Sequence, residues 1–247
     1  MGENADKSGP HIFSRFDGDI GSFRELILDM GQLAVEQVAL AAKAVSECDI
    51  SAVSHVRNNY RSVVDMDMDL LESNINLLAI YQPLAIDLRY LVMLSRTAYD
   101  LERVQQEALR LADLAETHHV HRKSASSSAY SCAVFDDIPY LSEKVTCMLS
   151  KTLEAVAEGS EEVALEVARR PAELREANQG ALRRLATFIM QDPRLVQPVI
   201  DATVALEGLG RVADHSIGIA RNVIFAVSGK DVRHLNVLNL DRAFLRS

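Results

Sequence analysis

The sequence predicts an all-α protein built as two tandem antiparallel three-helix bundles related by pseudo-two-fold repeat symmetry. Three observations carry that prediction. The composition is rich in Leu, Ala, Val, Glu and Arg, with only 11 Gly and 6 Pro, and such straight-chain residues lose little rotamer freedom in a helix. Apolar residues recur at spacings of three and four through long segments. Helices of about 20, 30 and 30 residues then occur twice in the same order, as expected of a duplicated unit. Aromatics make up 5% of the chain and Trp is absent, so the aromatic, β-branched runs of a sandwich or barrel are missing.

Residues 1–20 are rich in Gly, Asp and Ser without helical periodicity and read as a flexible tail. The first bundle is expected over 21–117. Ser22 followed by Glu25 has the form of a capping box, and Leu26, Met30, Leu33, Ala34, Gln37, Val38, Ala41 and Val45 form one stripe behind it. The second helix runs from about Ile50 to Ala79, with Val53, Val56, Tyr60, Val63, Val64, Leu70, Leu71, Ile75 and Leu78 as its core face. Tyr81-Gln82-Pro83 breaks it. The third helix starts near Pro83, where a missing N–H is harmless, and reaches about Thr117.

Residues 118–137, HHVHRKSASSSAYSCAVFDD, lack an apolar face and read as a linker. The second bundle follows over 138–229. Its helices span about Ile138–Glu158, Glu161–Met190 with a break expected at Pro171, and from Asp192-Pro193 to Ser228-Gly229. Residues 230–247 form a short C-terminal tail. The two third helices share a local string, Leu101-Glu102-Arg103-Val104 against Leu209-Gly210-Arg211-Val212, about 108 residues apart.

A net charge of −9 argues against sequence-independent nucleic-acid binding, which runs on phosphate neutralisation by Lys and Arg. Cys48, Cys132 and Cys147 form no CxxC pair, so free thiols in a reducing cytoplasm are expected. The N-terminus lacks a secretory layout, and no run of about 18 apolar residues exists to span a bilayer. A cytoplasmic protein without direct membrane insertion is the expectation. There is no phosphate-cradling Gly loop and no nucleophile elbow, so the chain is read as a non-enzyme.

Three stretches carry a family resemblance: Gln82-Pro83-Leu84-Ala85-Ile86-Asp87-Leu88-Arg89, then Asp100-Leu101-Glu102-Arg103-Val104, and Arg211-Val212-Ala213-Asp214-His215. With the closing string Asn222 to Gly229, they resemble the PhoU regulators of phosphate uptake across about residues 22–229. The resemblance implies a regulator of phosphate uptake and phosphate-starvation signalling. Such a protein acts as an adaptor on the phosphate transporter's ATPase subunit and on a sensor histidine kinase, and a homodimer is the expected assembly. It marks Asp87, Arg89, Arg103 and Arg211 as partner-binding residues. Two alternatives stand beside it: a metal-binding helical protein, and a PhoU-like paralogue controlling another phosphate carrier.

The resemblance also raises the question of a metal, since some family structures hold metal ions or clusters on an E/D-x-x-x-D pattern of each third helix. On a helix, position 106 lies about 40° and position 113 about 20° from Glu102, so the three share a face. Leu101, Val104, Ala108, Leu111 and Ala115 lie on another, which turns the acidic stripe away from the core. The pattern is incomplete. Gln106 replaces an Asp, Gly210 a Glu, and Arg221 stands where an acid is common. Glu102, Asp113, Glu207 and Asp214 remain as candidates for a divalent, iron or zinc ion, although lost ligand charge lowers affinity. The competing reading is a solvated acidic face paired with Arg103, Arg110 and Arg211, and no cofactor is certain. Glu116 and His119 form one E-x-x-H, but a di-iron bundle needs two. His118, His119 and His121 sit at an expected frayed helix end, and Asp65, Asp67 and Asp69 fan over different faces.

Overall fold

The computed structural model describes residues 9–124, 132–232 and 235. Helix α1 spans Gly9–Glu47, α2 Ile50–Tyr81 and α3 Ala85–Ser124. After a 3-10 turn at Cys132–Phe135 come α4 (Asp137–Glu158), α5 (Glu161–Arg169) and α6 (Pro171–Gln191). A second 3-10 turn, Pro193–Leu195, leads into α7 (Val196–Ser228). No strand occurs among the described residues. Helices α1, α2 and α3 form one bundle, and α4, α5–α6 and α7 the other, as the repeat predicts. The bundles are sealed along α3 against α7 and α1 against α4, leaving α2 and α5–α6 on the outside.

Local chemistry sets the breaks. Cys48, with φ 58°, ends α1 in the left-handed region, and Asp49 then caps α2 by accepting from the Ser51 and Ala52 amides. Gly159 closes α4 at φ 61°, where a Cβ would be strained. Pro171 divides the expected fifth helix into α5 and α6 and occupies the first turn of α6, where no N–H is required. Gly31 lets α1 approach α4 closely, since a Cβ there would meet the Leu153 side chain at 2.3 Å.

The Asp49 cap predicts a pH effect. Hydrogen bonds from the Ser51 hydroxyl, then the Ala52 and Ser51 amides, hold its carboxyl below the usual value. A depressed folded-state pKa contributes stability above the unfolded pKa, and that contribution disappears as pH falls through the folded value. Asp49→Ala therefore lowers Tm at neutral pH, and its gap from wild type closes in acid; parallel melts from pH 7 to pH 3 check both.

Several boundaries differ from the sequence reading. Residues 9–20 belong to α1, and Ser22 is no cap: its hydroxyl donates back to the Gly18 carbonyl at 3.1 Å inside the helix. Tertiary contacts extend α1. Phe16 packs on the Tyr81 ring at 4.9 Å, and the Tyr81 hydroxyl donates to Asp19 at 2.5 Å. Helix α3 likewise runs through the expected linker start to Ser124. His118 is buried there, with its ring 4.3 Å from Phe135 and its Nδ1 3.2 Å from the Cys48 sulfur. Residues 1–8 of the expected tail, 125–131 of the linker and 233–234 and 236–247 of the C-terminal tail lie outside the described residues.

Core assignment fails on α2 and at one position of α1. On α2 the buried residues are Ala52, Val53 and Val56, then Val63, Leu70 and Leu77 at one residue every second turn. Because α2 packs mainly on α1 and α3, the neighbouring Val64, Leu71 and Ile75 remain exposed, as does Leu26 of α1.

Candidate functional site

Three features bear on function: the polar seam between the bundles, the acidic face, and the turns at the bundle tips.

The seam is α3 against α7. Leu101, Val104, Ala108, Leu111 and Ala115 of α3 are buried, as their spacing requires, along with Leu209 and Val212 of α7. Gly208 permits the approach, since a Cβ there would touch Leu111 at 3.4 Å. Glu107 lies in this seam with its side chain 5% exposed, which is affordable only with charged partners. It has two: Arg110 donates at 2.5 Å and Arg211 of α7 at 2.8 Å. Burial disfavours the Arg211 cation, but the hydrogen bond and charge of Glu107 outweigh it and raise the Arg211 pKa. Along the same seam, His215 of α7 meets Asp100 of α3 at 3.0 Å. Glu107 and His215 occupy matching places in the two repeats, so the pseudo-symmetry gives each bundle one seam-crossing pair.

The acidic face does not form one site. Glu102 is only 17% exposed and sits against α2, accepting from the Gln106 amide at 2.6 Å and the Tyr60 hydroxyl at 3.3 Å. The spacing predicts a stripe hydrated away from the core, but α2 covers Glu102. Burial, then the Glu102 charge, pushes up the pKa values of Tyr60 and Asp67. Asp113 takes both Arg57 nitrogens, at 2.6 and 3.0 Å, and Arg57 also holds Glu116 at 2.6 Å. In the second bundle Gly210 supplies no ligand, Glu207 is exposed, and Asp214 faces Arg175 at 3.8 Å. No three His, Cys, Asp or Glu side chains converge for a metal ion among the described residues. Glu102 is engaged by Gln106 and Tyr60, and Asp113 by Arg57, which lowers the free charge they could offer a cation.

The partner-binding candidates divide. Arg211 is engaged in the seam. Arg103 lies over the Tyr99 ring at 5.1 Å and donates to its hydroxyl and to Gln106. Arg89 is half-buried at the C-terminal end of α7, its guanidinium 3.6 Å from where a Gly229 Cβ would lie. Asp87 stands on the surface at the turn from α2 into α3, and Arg211 stays partly exposed at the edge of the seam.

Around Asp87 lies a surface that sequence reasoning missed. Leu84 is 79% and Ile86 65% exposed, and Ile80, Leu88 and Val92 are exposed on the same stretch of chain. The second bundle repeats it. Val196 and Ile200 stand where the repeat places Leu88 and Val92, with Met190 at the preceding turn. The available signal was the alternation of Leu84, Ile86 and Leu88 after Pro83, because apolar residues two apart cannot share one buried helix face.

Two three-helix units, sealed by a polar-edged seam and bearing exposed apolar residues at their tips, define a tandem helical-bundle protein. The PhoU-domain family model matches it twice, over residues 27–115 and 138–223, and the chain belongs to the PhoU family. It is 31% identical over 237 residues to the phosphate-specific transport system accessory protein PhoU homolog of Pseudomonas aeruginosa, covering 96% of this chain and 95% of that one. It is 25% identical over 232 residues to the Escherichia coli K12 accessory protein PhoU, covering 94% and 93% respectively. The crystal structure of PhoU from Pseudomonas aeruginosa superposes with a TM-score of 0.79 at 30% identity, covering 87% of this chain and all, 100%, of that one. That of the phosphate transport system regulatory protein PhoU from Streptococcus pneumoniae gives 0.77 at 18% identity, covering 88% and 99%.

Proposed function

We propose that this protein is a non-catalytic accessory regulator of a phosphate-specific transport system, docking through its bundle tips on the transporter's cytoplasmic ATPase subunit. The observation that carries this reading is the set of exposed apolar residues Leu84, Ile86 and Leu88 at the α2–α3 turn around Asp87, matched in the other bundle by Val196 and Ile200. Exposed apolar residues clustered beside a charged group are what a protein interface uses, whereas scattered ones need no explanation. Family membership supports a transporter partner, since the relatives are named as accessory proteins of phosphate-specific transport.

Regulation then requires differential affinity. A bound adaptor biases the ATPase subunit toward one conformation only by as much as it prefers that conformation. A phosphate sensor histidine kinase is the second partner, and a homodimer lets one assembly engage both. No described helix is long and apolar enough to cross a membrane, so attachment to the membrane runs through the partners.

The test is binding of the purified ATPase subunit from the same organism. Leu84→Glu with Ile86→Glu weakens binding more than about tenfold, the loss of hot-spot contacts, while Tm stays near wild type because both positions are exposed. Wild-type affinity in this double variant contradicts the assignment.

A further inference from the structure

The second bundle contains a cavity of about 120 Å³ between α4, α6 and α7. Leu141 and Val145 of α4, Leu174 of α6, and Leu206, Leu209 and Ile217 of α7 form its aliphatic walls. Its origin is Gly210. The matching position in the first repeat is Glu102, and there Glu102, Gln106 and Tyr60 hydrogen-bond to one another and plug the space between α2 and α3. At Gly210 no side chain fills the equivalent place between α6 and α7, and a Cβ would only just reach Asn178 Nδ2, at 3.4 Å.

The mouth carries three polar groups: Arg175, Asn178 and Asp214. Arg175 and Asp214 face each other at 3.8 Å, with side chains 70% and 67% exposed. Such a long, hydrated pair contributes little and opens at little cost. Asn178 turns its Nδ2 toward Gly210, and its Oδ1 is shielded from solvent. The mouth therefore offers one cation and one anion above a hollow without an aromatic wall.

We propose that this cavity binds a free aliphatic α-amino acid of the leucine, isoleucine and valine class. The branched alkyl group fills the hollow. The ammonium donates to Asp214, and Arg175 receives the carboxylate. Size fits the class, because an apolar hollow of about 150 Å³ accommodates benzene and this slightly smaller one accommodates a branched side chain but not an indole. The head group fits because each of its charges meets an opposite one at the mouth. This assignment is independent of docking at the bundle tips.

The test is calorimetric titration of the full chain with L-leucine, with 4-methylpentanoate, which lacks the ammonium, with isoamylamine, which lacks the carboxylate, and with L-tryptophan. L-leucine binds, and each truncated analogue binds at least about tenfold more weakly, the cost of losing one charge-assisted hydrogen bond. L-tryptophan gives no binding heat. Asp214→Asn weakens leucine binding at least about tenfold. Gly210→Leu fills the hollow and abolishes binding while its melting curve shows that it folds. Absence of leucine binding overturns the proposal, as does equal binding of the truncated analogues or undiminished binding by Gly210→Leu.

Discussion

Leu209→Ala lowers the unfolding free energy by about 3–5 kcal/mol, and Leu101→Ala by a similar amount, in urea titrations followed by helical circular dichroism. Both side chains are essentially inaccessible to solvent, and both lie on the helices of the inter-bundle seam, α3 and α7. The repeat places them at equivalent positions, so each deletion leaves a comparable hollow in the same kind of wall. A transfer term and a cavity term then add at each site. If the bundles were independent units merely tethered by a linker, the two variants would give separate, biphasic transitions. Packing of α3 on α7 instead predicts that each substitution shifts a single transition.

Arg211→Ala has the second largest effect, about 2–3 kcal/mol, because it strips the seam-crossing partner from a carboxylate that stays desolvated. Arg110 remains beside Glu107, which keeps the loss below that of a fully orphaned buried charge. Replacing both seam partners, Glu107→Leu with Arg211→Leu, costs less than Arg211→Ala alone, since no unpaired charge is then left in the seam. The same urea titrations resolve this ordering. If Arg211→Ala is neutral, Glu107 is better hydrated than its burial indicates.

Most of the architecture was legible because it rests on periodicity. Leu101, Val104, Ala108, Leu111 and Ala115 repeat at helical spacing, and all five are buried. Proline and glycine punctuation was equally readable: Pro171 divides α5 from α6, and Gly229 ends α7 at φ 72°. The start of α1 was not legible. Gly9, Pro10, Gly18 and Gly21 depress helix propensity, and the compensating contacts come from Tyr81, more than sixty positions away. A weak local preference was overridden by tertiary packing.

The site was less legible than the fold, for a related reason. Helical geometry correctly grouped positions 102, 106 and 113 on one side of α3, but one helix cannot reveal which neighbour covers that side. The structure places α2 there, so Glu102 lies under Tyr60 and Asp113 against Arg57. On α2 the apolar pattern was read as core, yet a peripheral helix buries only one strip. Val64, Leu71 and Ile75 were therefore placed inside although they are exposed. Arg89 and Arg211 drew attention as charges for partners, whereas one packs at the end of α7 and the other joins the bundles.

Hydrogen–deuterium exchange of this chain, alone and with the purified ATPase subunit of the transporter, tests docking at the tips most directly. Protection confined to residues 80–92 and 190–204 is the predicted result. Protection that falls instead on α5 or on the middle of α4, leaving both turns exchanging as in the isolated chain, contradicts it.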